Sequence, residues 1–461
     1  MPELPEVETV LRTLEYQIKG SRIKDIIVLY PNLIEGDVNT FINTLKGQRF
    51  NKFLRRGKYL LFEMDNILLV SHLRMEGKYY VYPSATTPLK HSHIIFKLDD
   101  GREIHYNDTR KFGRFKLMPL KDSYKEFLNL GVEPLSDDLN VAYLYPLLHH
   151  KHKAIKALLL DQSLIAGIGN IYSDEILFDA SINPLNDSSY LSYDDVNRIV
   201  EASKKILNEA IKAGGTTIRS YTSSLGVTGL FQMSLHAYGK KDKKCERCGS
   251  QIIKTVVATR GTYYCPNCQK IRRKIAITGS IGTGKSALSR IIKDKGYYVF
   301  DADKVNAELL NDKDVLIKIK KLFNDVFDGE ILNKKKLSVI IFKDSKRKKE
   351  LEAIMHPLIK EKMLEMMDKY PLFFAEIPLL FETEFKYYFS DNVVVSAKED
   401  IVINRLKERG VDKDKYQLCL ANQISLDDKI KLADYVIENN GSLNDLEKKA
   451  ERWLKDIHVG Q

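Results

Sequence analysis

The stretch Ile275-Ala-Ile-Thr-Gly-Ser-Ile-Gly-Thr-Gly-Lys-Ser286 joins a short apolar segment directly to a glycine-rich loop of the form GxxxxGKS. A helix is predicted immediately after it, at residues 287–293. Glycines let the backbone wrap around phosphate groups, and the positive end of the following helix favours bound anions. Alternating strand and helix signals then continue to Gln461, which is typical of an α/β domain with a parallel sheet. The stretch therefore predicts a nucleotide-binding P-loop domain at residues 274–461.

We expect this loop to bind the phosphates of ATP together with Mg²⁺. Lys285 is predicted to reach the β- and γ-phosphates, and Ser286 to bind the metal ion. A loop of this kind does not identify the group that accepts the phosphoryl group. The predicted nucleotide-binding residues of the loop are Gly279, Ser280, Ile281, Gly282, Thr283, Gly284, Lys285 and Ser286.

Three further segments precede the loop, and a chain of 461 residues has room for about three domains of ordinary size. Residues 1–130 contain short apolar runs separated by turn residues, which predicts a β-sandwich or barrel, with a helix at residues 6–16. Residues 131–235 change to helical spacing, most clearly at residues 196–211. Residues 236–270 form a small cysteine-containing module.

Charge and composition narrow the classes of partner. The chain has a formal net charge of +11, and residues 1–273 hold 39 Lys and Arg against 30 Asp and Glu. The remainder has a net charge of only +2, so a polyanionic partner is expected for the first part. No apolar run of about 18 residues occurs, which argues against a membrane span. The opening residues do not resemble a signal peptide, so a cytoplasmic location is expected, and no obligate protein partner is evident.

Four cysteines have the spacing of a metal site. They are Cys245, Cys248, Cys265 and Cys268, in the pattern CxxC-x16-CxxC. Four thiolates form a closed tetrahedral shell for one Zn²⁺ ion, which predicts a structural site with no open position for catalysis. Lysines and arginines surround these cysteines, and no acidic residue follows Glu246 within the module. Contact with phosphate groups is therefore expected here.

The N-terminus carries a candidate nucleophile. Removal of Met1 would leave Pro2 with a free secondary amine, which can attack an aldehyde or a sugar C1′ and form an iminium ion. Glu3 and Glu6 lie beside it in the sequence and are candidates for general acid–base catalysis. The alternative is a proline that only begins a helix.

The first 270 residues resemble the formamidopyrimidine-DNA glycosylases, which excise oxidised purines from DNA. The resemblance begins with Pro2-Glu-Leu-Pro-Glu-Val-Glu-Thr and ends in the cysteine module with Thr259-Arg-Gly-Thr-Tyr-Tyr-Cys265. Between them, in the family's order, are Arg56-Gly-Lys58-Tyr, His72-Leu-Arg-Met75, Asn107-Asp108-x-Arg110-x-Phe112-Gly113 and Gly167-Ile-Gly-Asn170-Ile-Tyr. The resemblance implies a β-sandwich, a helix-two-turns-helix domain and a zinc hairpin, with damaged double-stranded DNA as the partner.

The same resemblance implies roles for individual residues. Pro2 would form the Schiff base and lead to β,δ-elimination, and Glu3 would protonate the deoxyribose ring oxygen. Lys58 is expected among the catalytic residues, holding phosphates that flank the lesion. Asn170 and Arg260 would contact the same backbone, and such contacts position a duplex without reading its sequence.

A second group of residues would replace the extruded base. Met75, Arg110 and Phe112 match the family's wedge, with Arg110 bonded to the orphaned partner base and Phe112 inserted in the stack. His91 is included among the predicted DNA contacts. The segment Ser220–Gln232 is predicted to be a lid over the flipped base. The alternative for this segment is a surface connector without this role. Two alternatives remain for the first half as a whole: an endonuclease VIII-like enzyme for oxidised pyrimidines, and a non-catalytic zinc DNA-binding module.

Residues 274–455 resemble dephospho-coenzyme A kinase. The matching segments after the loop are Asp301-Ala-Asp303, Met355-His-Pro-Leu358, Ile377-Pro-Leu-Leu-Phe-Glu382 and Ala433-Asp-Tyr-Val-Ile-Glu-Asn-Asn-Gly-Ser442. By this resemblance dephospho-CoA accepts the phosphoryl group on its ribose 3′-hydroxyl, and Asp303 is the base. Arg405 and Arg409 would belong to a lid that stabilises charge on the transferred group.

Two points about this second half stay open in the sequence. Members of the family often carry an arginine where Ala307 stands, which puts one contact with the acceptor in doubt. The alternative is another nucleoside or nucleotide kinase. The two predicted reactions share no intermediate, so we expect two enzymes with independent sites in one polypeptide.

Overall fold

The computed structural model describes residues 1–122, 127–216, 229–410, 416, 420 and 423–457. Residues 217–228, which include most of the predicted lid, lie outside this part of the chain. The chain divides into two compact units, Met1–Ser189 with Asp195–Lys270 and Tyr190–Asp194 with Ile271–Gln461. No helix in the described ranges is both long enough and apolar enough to cross a membrane.

The first unit begins with a helix and two antiparallel sheets. Helix α1 spans Leu4–Ile18 and α2 spans Val38–Leu45. The strands are β1 (Ile23–Val28), β2 (Lys52–Arg56), β3 (Tyr59–Glu63), β4 (Ile67–His72), β5 (Lys78–Tyr82), β6 (Ser92–Leu98), β7 (Glu103–Asn107) and β8 (Arg114–Pro119). They form sheets of order β1-β6-β7-β5 and β2-β3-β4-β8. The β-sandwich expectation is confirmed.

One apolar core joins both sheets to α1. It includes Leu14 from α1, Phe62 from β3, Phe96 from β6 and Phe115 from β8, each at most 2% exposed. Strand residues that alternate inward supply this core, as expected for sheets with one face buried. The observed α1 is longer than the predicted helix because its reciprocal Glu3–Glu6 cap adds the first turn.

Helices and a hairpin complete the first unit. The helices are α3 (Val141–His149), α4 (Ile155–Leu159), α5 (Asn170–Asp179) and α6 (Tyr193–Lys212). Strands β9 (Ile253–Val257) and β10 (Arg260–Tyr264) pair as an antiparallel hairpin inside the cysteine module. Helix α6 is the amphipathic helix that the apolar spacing at residues 196–211 predicts.

The second unit is built on a parallel sheet of order β12-β15-β11-β16-β17. Its strands are β11 (Arg273–Thr278), β12 (Val299–Asp301), β15 (Leu372–Glu376), β16 (Asp391–Ser396) and β17 (Tyr435–Glu438), and a short hairpin is made by β13 (Phe327–Asp328) and β14 (Ile331–Leu332). The helices are α7 (Lys285–Asp294), α8 (Ala302–Leu309), α9 (Lys313–Leu322), α10 (Lys334–Lys343), α11 (Ser345–Lys369), α12 (Glu399–Glu408), α13 (Leu426–Lys431) and α14 (Leu443–Asp456).

Alternate residues of the central strand face two different helix layers. Ile275 and Ile277 lie in one core with α7 and α14, whereas Ala276 lies in another with α9 and α11. A parallel sheet covered on both faces reads as a continuous apolar run, and β11 has that pattern. The α/β expectation for the second half is confirmed.

A buried ion pair joins the starts of two strands in this sheet. The Arg273 guanidinium donates to both carboxylate oxygens of Asp391 at 2.9 and 2.8 Å, and Ser390 Oγ donates to the same carboxylate at 2.8 Å. The two charged side chains are 6% and 9% exposed. A buried pair of this kind is vulnerable, because removing one partner leaves an uncompensated charge.

We therefore expect Arg273→Leu to lower the free energy of unfolding of the second unit by about 3–5 kcal/mol. Urea unfolding followed by fluorescence measures this, since Trp453 is the chain's single tryptophan and packs 5.8 Å from the Phe374 ring. The double variant with Asp391→Leu should recover most of the loss. Equal destabilisation in the single and double variants would contradict the explanation.

Candidate active sites

The predicted nucleophile and its acid lie at the start of α1, against the first turn of α5. Pro2 is buried and Glu3 is 2% exposed. The Glu3 carboxylate accepts hydrogen bonds from the backbone N–H groups of Ile171 at 2.9 Å and Tyr172 at 3.3 Å. A helix N-terminus stabilises a negative charge placed there. The approach requires Gly169, because a Cβ at this position would lie 2.3 Å from Cδ of Glu3.

Glu6 is a second buried carboxyl group beside this position. Its Oε2 accepts from the Glu3 backbone N–H at 2.8 Å, and its Oε1 accepts from the Tyr172 hydroxyl at 2.6 Å and the Thr216 N–H at 2.7 Å. Burial, together with the negative charge of Glu3, raises the pKa of Glu6 to about 7. A group with this pKa can take up or release a proton near neutral pH.

Lys58 reaches the same place from the β2–β3 hairpin. It is 8% exposed, and its Nζ donates to the Ile168 carbonyl at 2.9 Å. Burial lowers the pKa of Lys58, while the charges of Glu3 and Glu6 act in the opposite direction. The N-terminus and this hairpin, which are distant in the sequence, therefore both contact the segment 167–171 at the start of α5.

Asn170 and Arg260 are connected through the zinc hairpin. Asn170 Nδ2 donates to the Gly261 carbonyl at 3.1 Å, and Arg260 is exposed at the start of β10. The preceding turn holds Ala258 and Thr259 at φ values of +47° and +61°. This tight turn fixes where β10 begins and therefore where the arginine emerges.

Sequence reasoning missed the buried charges that hold this hairpin to the helices. Lys156 and Asp174 form an ion pair at 2.7 Å with both side chains 0% exposed. Lys156 Nζ also donates to Thr262 Oγ1 at 2.9 Å, and Asp174 accepts from the Tyr263 N–H at 2.9 Å. The partners are far apart in sequence, so no local pattern indicates them.

Glu175, which follows Asp174 in α5, binds the chain where it enters the cysteine module. Glu175 accepts hydrogen bonds from three consecutive N–H groups, those of His236, Ala237 and Tyr238, at 2.8–2.9 Å. It is 1% exposed. Adjacent residues of one helix therefore fix both the entry to the module and its second strand.

The four cysteines form one cluster in which all sulfur atoms lie within 4.8 Å of one another. Two of the sulfur–sulfur distances, Cys245–Cys268 and Cys248–Cys265, are 3.8 and 3.5 Å. Tetrahedral zinc with bonds of about 2.3 Å places its sulfur ligands about 3.8 Å apart. The cluster therefore fits one closed structural Zn²⁺ site, and the zinc expectation is confirmed.

A buried aspartate presents the predicted wedge residues. Asp108 is 0% exposed and accepts from the backbone N–H groups of Arg110 at 3.0 Å, Phe112 at 2.9 Å and Gly113 at 2.8 Å. The Arg110 guanidinium lies 4.7 Å from the centre of the Phe112 ring, and that ring is 46% exposed. The carbonyl of His91 accepts from the Asp108 N–H at 3.0 Å.

The other expected wedge residue occupies a separate turn. Met75 is half-buried after β4, next to Arg74 with φ +52°. Both turns pack around Tyr106, because a Cβ at Gly77 or Gly113 would lie 2.2 or 1.9 Å from its hydroxyl. The predicted lid cannot be placed with them, since residues 217–228 are outside the described ranges.

In the second unit, the glycine-rich loop closes around its own lysine. Gly279 and Gly284 adopt φ values of +146° and +107°, and a Cβ at Gly284 would lie 2.1 Å from the Asn439 amide nitrogen. Lys285 Nζ donates to the carbonyls of Gly279 and Ser280, both at 2.9 Å. Burial lowers the pKa of Lys285 to about 8.

A carboxylate that sequence reasoning missed lies beside the loop serine. Ser286 Oγ donates to Glu376 Oε1 at 2.8 Å, and Glu376 is 7% exposed at the end of β15. The signal available in the sequence was an acidic residue that ends an apolar strand, the same signal that selected Asp301 and Asp303. Hydroxyl and carboxylate oxygens are the ligands that Mg²⁺ prefers.

The two aspartates after β12 have different environments. Asp301 caps α8, with its carboxylate accepting from the Lys304 N–H at 3.0 Å. Asp303 faces the cavity beside the loop, where desolvation and the charges of Asp301 and Glu376 raise its pKa. The cavity has a volume of about 270 Å³ and is also lined by Lys285, Ser286 and Arg409.

Arg405 and Arg409 lie at different distances from this cavity. Arg405 donates to the Asn439 carbonyl at 3.0 Å, and Asn439 Nδ2 donates to the Thr283 carbonyl of the loop at 2.9 Å. Arg409 is exposed and lines the cavity directly. Asn439 therefore links the final segment that the sequence singled out to the phosphate loop.

A larger cavity of about 700 Å³ lies between α11 and the segment Leu379–Tyr388. Lys348, Lys360 and Lys386 line it, together with aromatic side chains. Its wall is held by Lys429, whose Nζ is buried and contacts Glu382 Oε1 at 3.1 Å. Ala307 is exposed on α8. Members of the resembling kinase family often carry an arginine at this position, so this chain lacks a positive charge there.

Comparisons with known proteins match four successive stretches of the chain. Family models match residues 1–115 (formamidopyrimidine-DNA glycosylase N-terminal domain), 130–222 (formamidopyrimidine-DNA glycosylase H2TH domain) and 242–271 (zinc finger found in FPG and IleRS). Residues 273–445 match the model for dephospho-CoA kinase.

Individual relatives cover the first part. The formamidopyrimidine-DNA glycosylase of Enterococcus faecalis is 45% identical over 275 residues, which are 59% of this chain and 98% of that protein. The Bacillus cereus enzyme is 45% identical over 58% of this chain and 99% of its own. Two crystal structures of the Lactococcus lactis protein, with Fapy-dG-containing DNA and with abasic-site DNA, align with a TM-score of 0.56. Their identities are 42% and 41%, over 58% of this chain and 100% and 99% of theirs.

We expect the purified chain to contain one equivalent of zinc, held by the four-cysteine cluster. Cys265→Ser should lose it, because a structural tetrahedral site does not tolerate the loss of a thiolate. Cys419→Ser is the matched control, since Cys419 is the chain's fifth cysteine and belongs to neither CxxC pair. Elemental analysis gives the stoichiometry, and zinc retained in the Cys265 variant would contradict the assignment.

Proposed function

The chain belongs to the formamidopyrimidine-DNA glycosylase family and continues, at residues 273–445, into a dephospho-CoA kinase domain, and we propose that it runs two separate reactions. The first is excision of oxidised purines, such as 8-oxoguanine and formamidopyrimidines, from double-stranded DNA, followed by cleavage at the abasic site. The second is phosphorylation of the 3′-hydroxyl of dephospho-CoA by ATP. We assign the glycosylase to residues 1–130, 131–235 and 236–270, and the kinase to residues 274–461.

One observation carries the glycosylase proposal: Glu3, next to Pro2 in the chain, and Lys58 both bond to backbone groups of segment 167–171. After removal of Met1, the Pro2 nitrogen attacks C1′ of the damaged nucleoside. The N–C1′ bond forms as the bond from C1′ to the base breaks, and the base leaves with a proton. Glu3 protonates the ring oxygen as the sugar opens to the iminium ion.

The remaining steps use the iminium as an electron sink. Loss of a proton from C2′ expels the 3′-phosphate, a second elimination expels the 5′-phosphate, and water releases the sugar fragment from Pro2. Glu6, with a pKa near 7, is placed to exchange protons with these groups. The positions of Lys58, Asn170 and Arg260 suit contacts with the phosphates that flank the lesion.

Extrusion of the base requires groups that fill the gap. Phe112 is exposed on a loop fixed by Asp108, and Arg110 lies beside its ring, so the loop offers a wedge and a hydrogen-bond donor together. Met75 and His91 precede this loop in the sequence and are proposed as further DNA contacts. An apolar wedge with one guanidinium supplies what a base-flipping enzyme needs.

The kinase proposal rests on the convergence of Lys285, Ser286, Glu376 and Asp303 on one cavity. The loop N–H groups and Lys285 bind the ATP phosphates, and Ser286 with Glu376 holds Mg²⁺, which neutralises charge on the phosphates. Asp303 accepts the proton of the acceptor hydroxyl. The new O–P bond forms as the bond between the β-phosphate oxygen and the γ-phosphorus breaks, and ADP leaves.

The neighbouring cavity of about 700 Å³ suits the acceptor. Its volume matches a ligand of this size. Three lysines on its wall suit the phosphates of such a ligand, and Glu352, Glu382 and Glu384 line the same cavity. Arg409 lines the cavity beside the loop, and Arg405 bonds to Asn439, so these two arginines are proposed to stabilise charge on the transferred group. Substrates and cofactors of both reactions occur inside cells, and the cysteines serve as thiolate ligands, so we propose a cytoplasmic location.

Glu376→Gln is expected to raise the Mg²⁺ concentration needed for half-maximal phosphorylation and to lower kcat by at least about tenfold, because the metal loses a charged ligand. Steady-state assays across a Mg²⁺ titration measure both quantities. Glu308→Gln, which removes an exposed carboxylate on α8, is the matched control. An unchanged Mg²⁺ dependence in the Glu376 variant would exclude this role.

Separate substitutions should silence the two reactions separately. Pro2→Gly is expected to abolish excision of 8-oxoguanine and trapping of the covalent intermediate by borohydride, while leaving coenzyme A formation within twofold of wild type. Lys285→Ala should do the reverse, with about a hundredfold loss of phosphorylation.

Both activities are measured on the same preparations, with nucleoside monophosphates as competing acceptors. Loss of both reactions in either variant would contradict independent sites. Transfer to a monophosphate in place of dephospho-CoA would reassign the kinase to another acceptor.

A further inference from the structure

The second unit carries a strongly basic segment from which the two proposed reactions use only Lys348. Residues 313–349 contain twelve lysines and arginines against five aspartates and glutamates, a net charge of +7. The rest of residues 274–461 has 22 against 27, a net charge of −5. The net charge of this half is small because a basic segment and an acidic remainder nearly cancel. The basic segment creates a local positive potential.

Many of these cations have no carboxylate partner. Arg347 pairs with Asp325, Lys320 with Glu330 and Lys336 with Asp328. Six exposed lysines have no carboxylate within 4.0 Å among the residues described, and we call them the lysine face. They are Lys313, Lys318, Lys321, Lys335, Lys346 and Lys349.

Helix geometry places these lysines on solvent-facing surfaces. In α9, Val315 and Ile319 enter the core, so Lys313, Ile317 and Lys321 form an i, i+4, i+8 row on the opposite side. In α10, Leu337 enters the core and Lys335 points away from it. Both helices pack on α11, whose start supplies Lys346 and Lys349.

Helix stability does not explain the cations of α10 and α11. Neither helix has an acidic residue in its first turn, where α10 has Lys334–Lys336 and α11 has Lys346–Lys349. The one carboxylate at these ends is the α11 N-cap Asp344, which accepts from the backbone N–H groups of Lys346 and Arg347. The N-terminal end of a helix is its positive end, so cations there are unfavourable for the isolated fold. Their presence is consistent with an external anion that compensates the repulsion.

We propose that the lysine face binds the phosphate backbone of duplex DNA and extends the DNA contact of this chain beyond the glycosylase. The choice of partner rests on the proposed function of the first unit. The last zinc-cluster cysteine, Cys268, is only a few residues from β11, so the second unit is tethered close to any DNA that the first unit binds. Tethering gives a weak second contact a high effective concentration.

Two other anionic partners fit the observations less well. A membrane surface favours aromatic anchors, and residues 313–349 contain no tryptophan or tyrosine. Four aliphatic side chains of the segment are 52–76% exposed: Ile317, Leu322, Ile331 and Val339. The acceptor of the kinase is a small ligand, and its proposed cavity is lined by other lysines, Lys348, Lys360 and Lys386. Single lysines spread over three helices suit a long, repetitive polyanion.

The test measures binding of the full-length chain to undamaged duplex DNA as a function of salt. The variant Lys313→Gln/Lys321→Gln/Lys335→Gln removes three charges of the lysine face. Its control is Lys293→Gln/Lys448→Gln/Lys455→Gln, three exposed lysines on α7 and α14, which cover the opposite face of the sheet. Coenzyme A formation and Trp453 fluorescence verify that both variants are folded.

We expect the plot of log K against log salt to become shallower by about 0.9 for each lysine that contacts a phosphate. Affinity at about 100 mM salt should fall at least tenfold in the lysine-face variant and less than twofold in the control. The single-turnover excision rate at saturating enzyme should be unchanged, because these lysines lie outside the glycosylase site.

Equal slopes in wild type and variant would overturn the proposal, as would an equal loss in the control. Unchanged DNA binding with weaker binding to phosphatidylglycerol vesicles would make the surface a membrane contact. Unchanged DNA binding with a raised KM for dephospho-CoA would make it part of acceptor capture. A wild-type chain that binds DNA but does not excise 8-oxoguanine would refute the glycosylase proposal. The salt dependence of DNA binding by wild type and variant would still decide whether the lysine face contacts DNA.

Discussion

The carboxylate of Glu3 on the first turn of α5 is the contact around which the first unit is arranged. It joins the start of the chain to residue 170 and requires a glycine at position 169. A buried carboxylate is unfavourable unless hydrogen bonds or opposite charge compensate it, and a helix N-terminus provides free N–H groups for this purpose. The hydrogen bonds that compensate this buried charge therefore also hold Glu3 in place beside Pro2.

Buried charges are compensated by hydrogen bonds and ion pairs along the rest of α5 as well. Its N-terminus receives Glu3, its next turn places Asp174 against Lys156, and Glu175 accepts three N–H groups from the chain entering the zinc module. The helix is buried over much of its surface although it carries charged residues. A zinc hairpin is too small to build a large core, so these polar contacts and the metal fix its position relative to α5.

In the second unit, the parallel sheet brings the candidate site residues together. The carboxyl ends of β11, β12 and β15 lie side by side, which brings the glycine-rich loop, Asp303 and Glu376 to one cavity. The charge of Glu376 raises the pKa of Asp303, and the charge of Lys285 acts in the opposite direction. The two units thus build their sites from different elements and share no residue between them.

The sequence by itself determined the fold class of both halves, the four zinc ligands, the glycine-rich loop and the resemblance to two enzyme families. These features depend on local spacing, such as CxxC pairs or GxxxxGKS, which is visible without coordinates. Only the tertiary structure brought in Lys156, Asp174, Glu376 and Asn439, and separated the capping role of Asp301 from the cavity position of Asp303. Their partners lie far away along the chain, so their pairing is decided by packing and by the need to compensate buried charge.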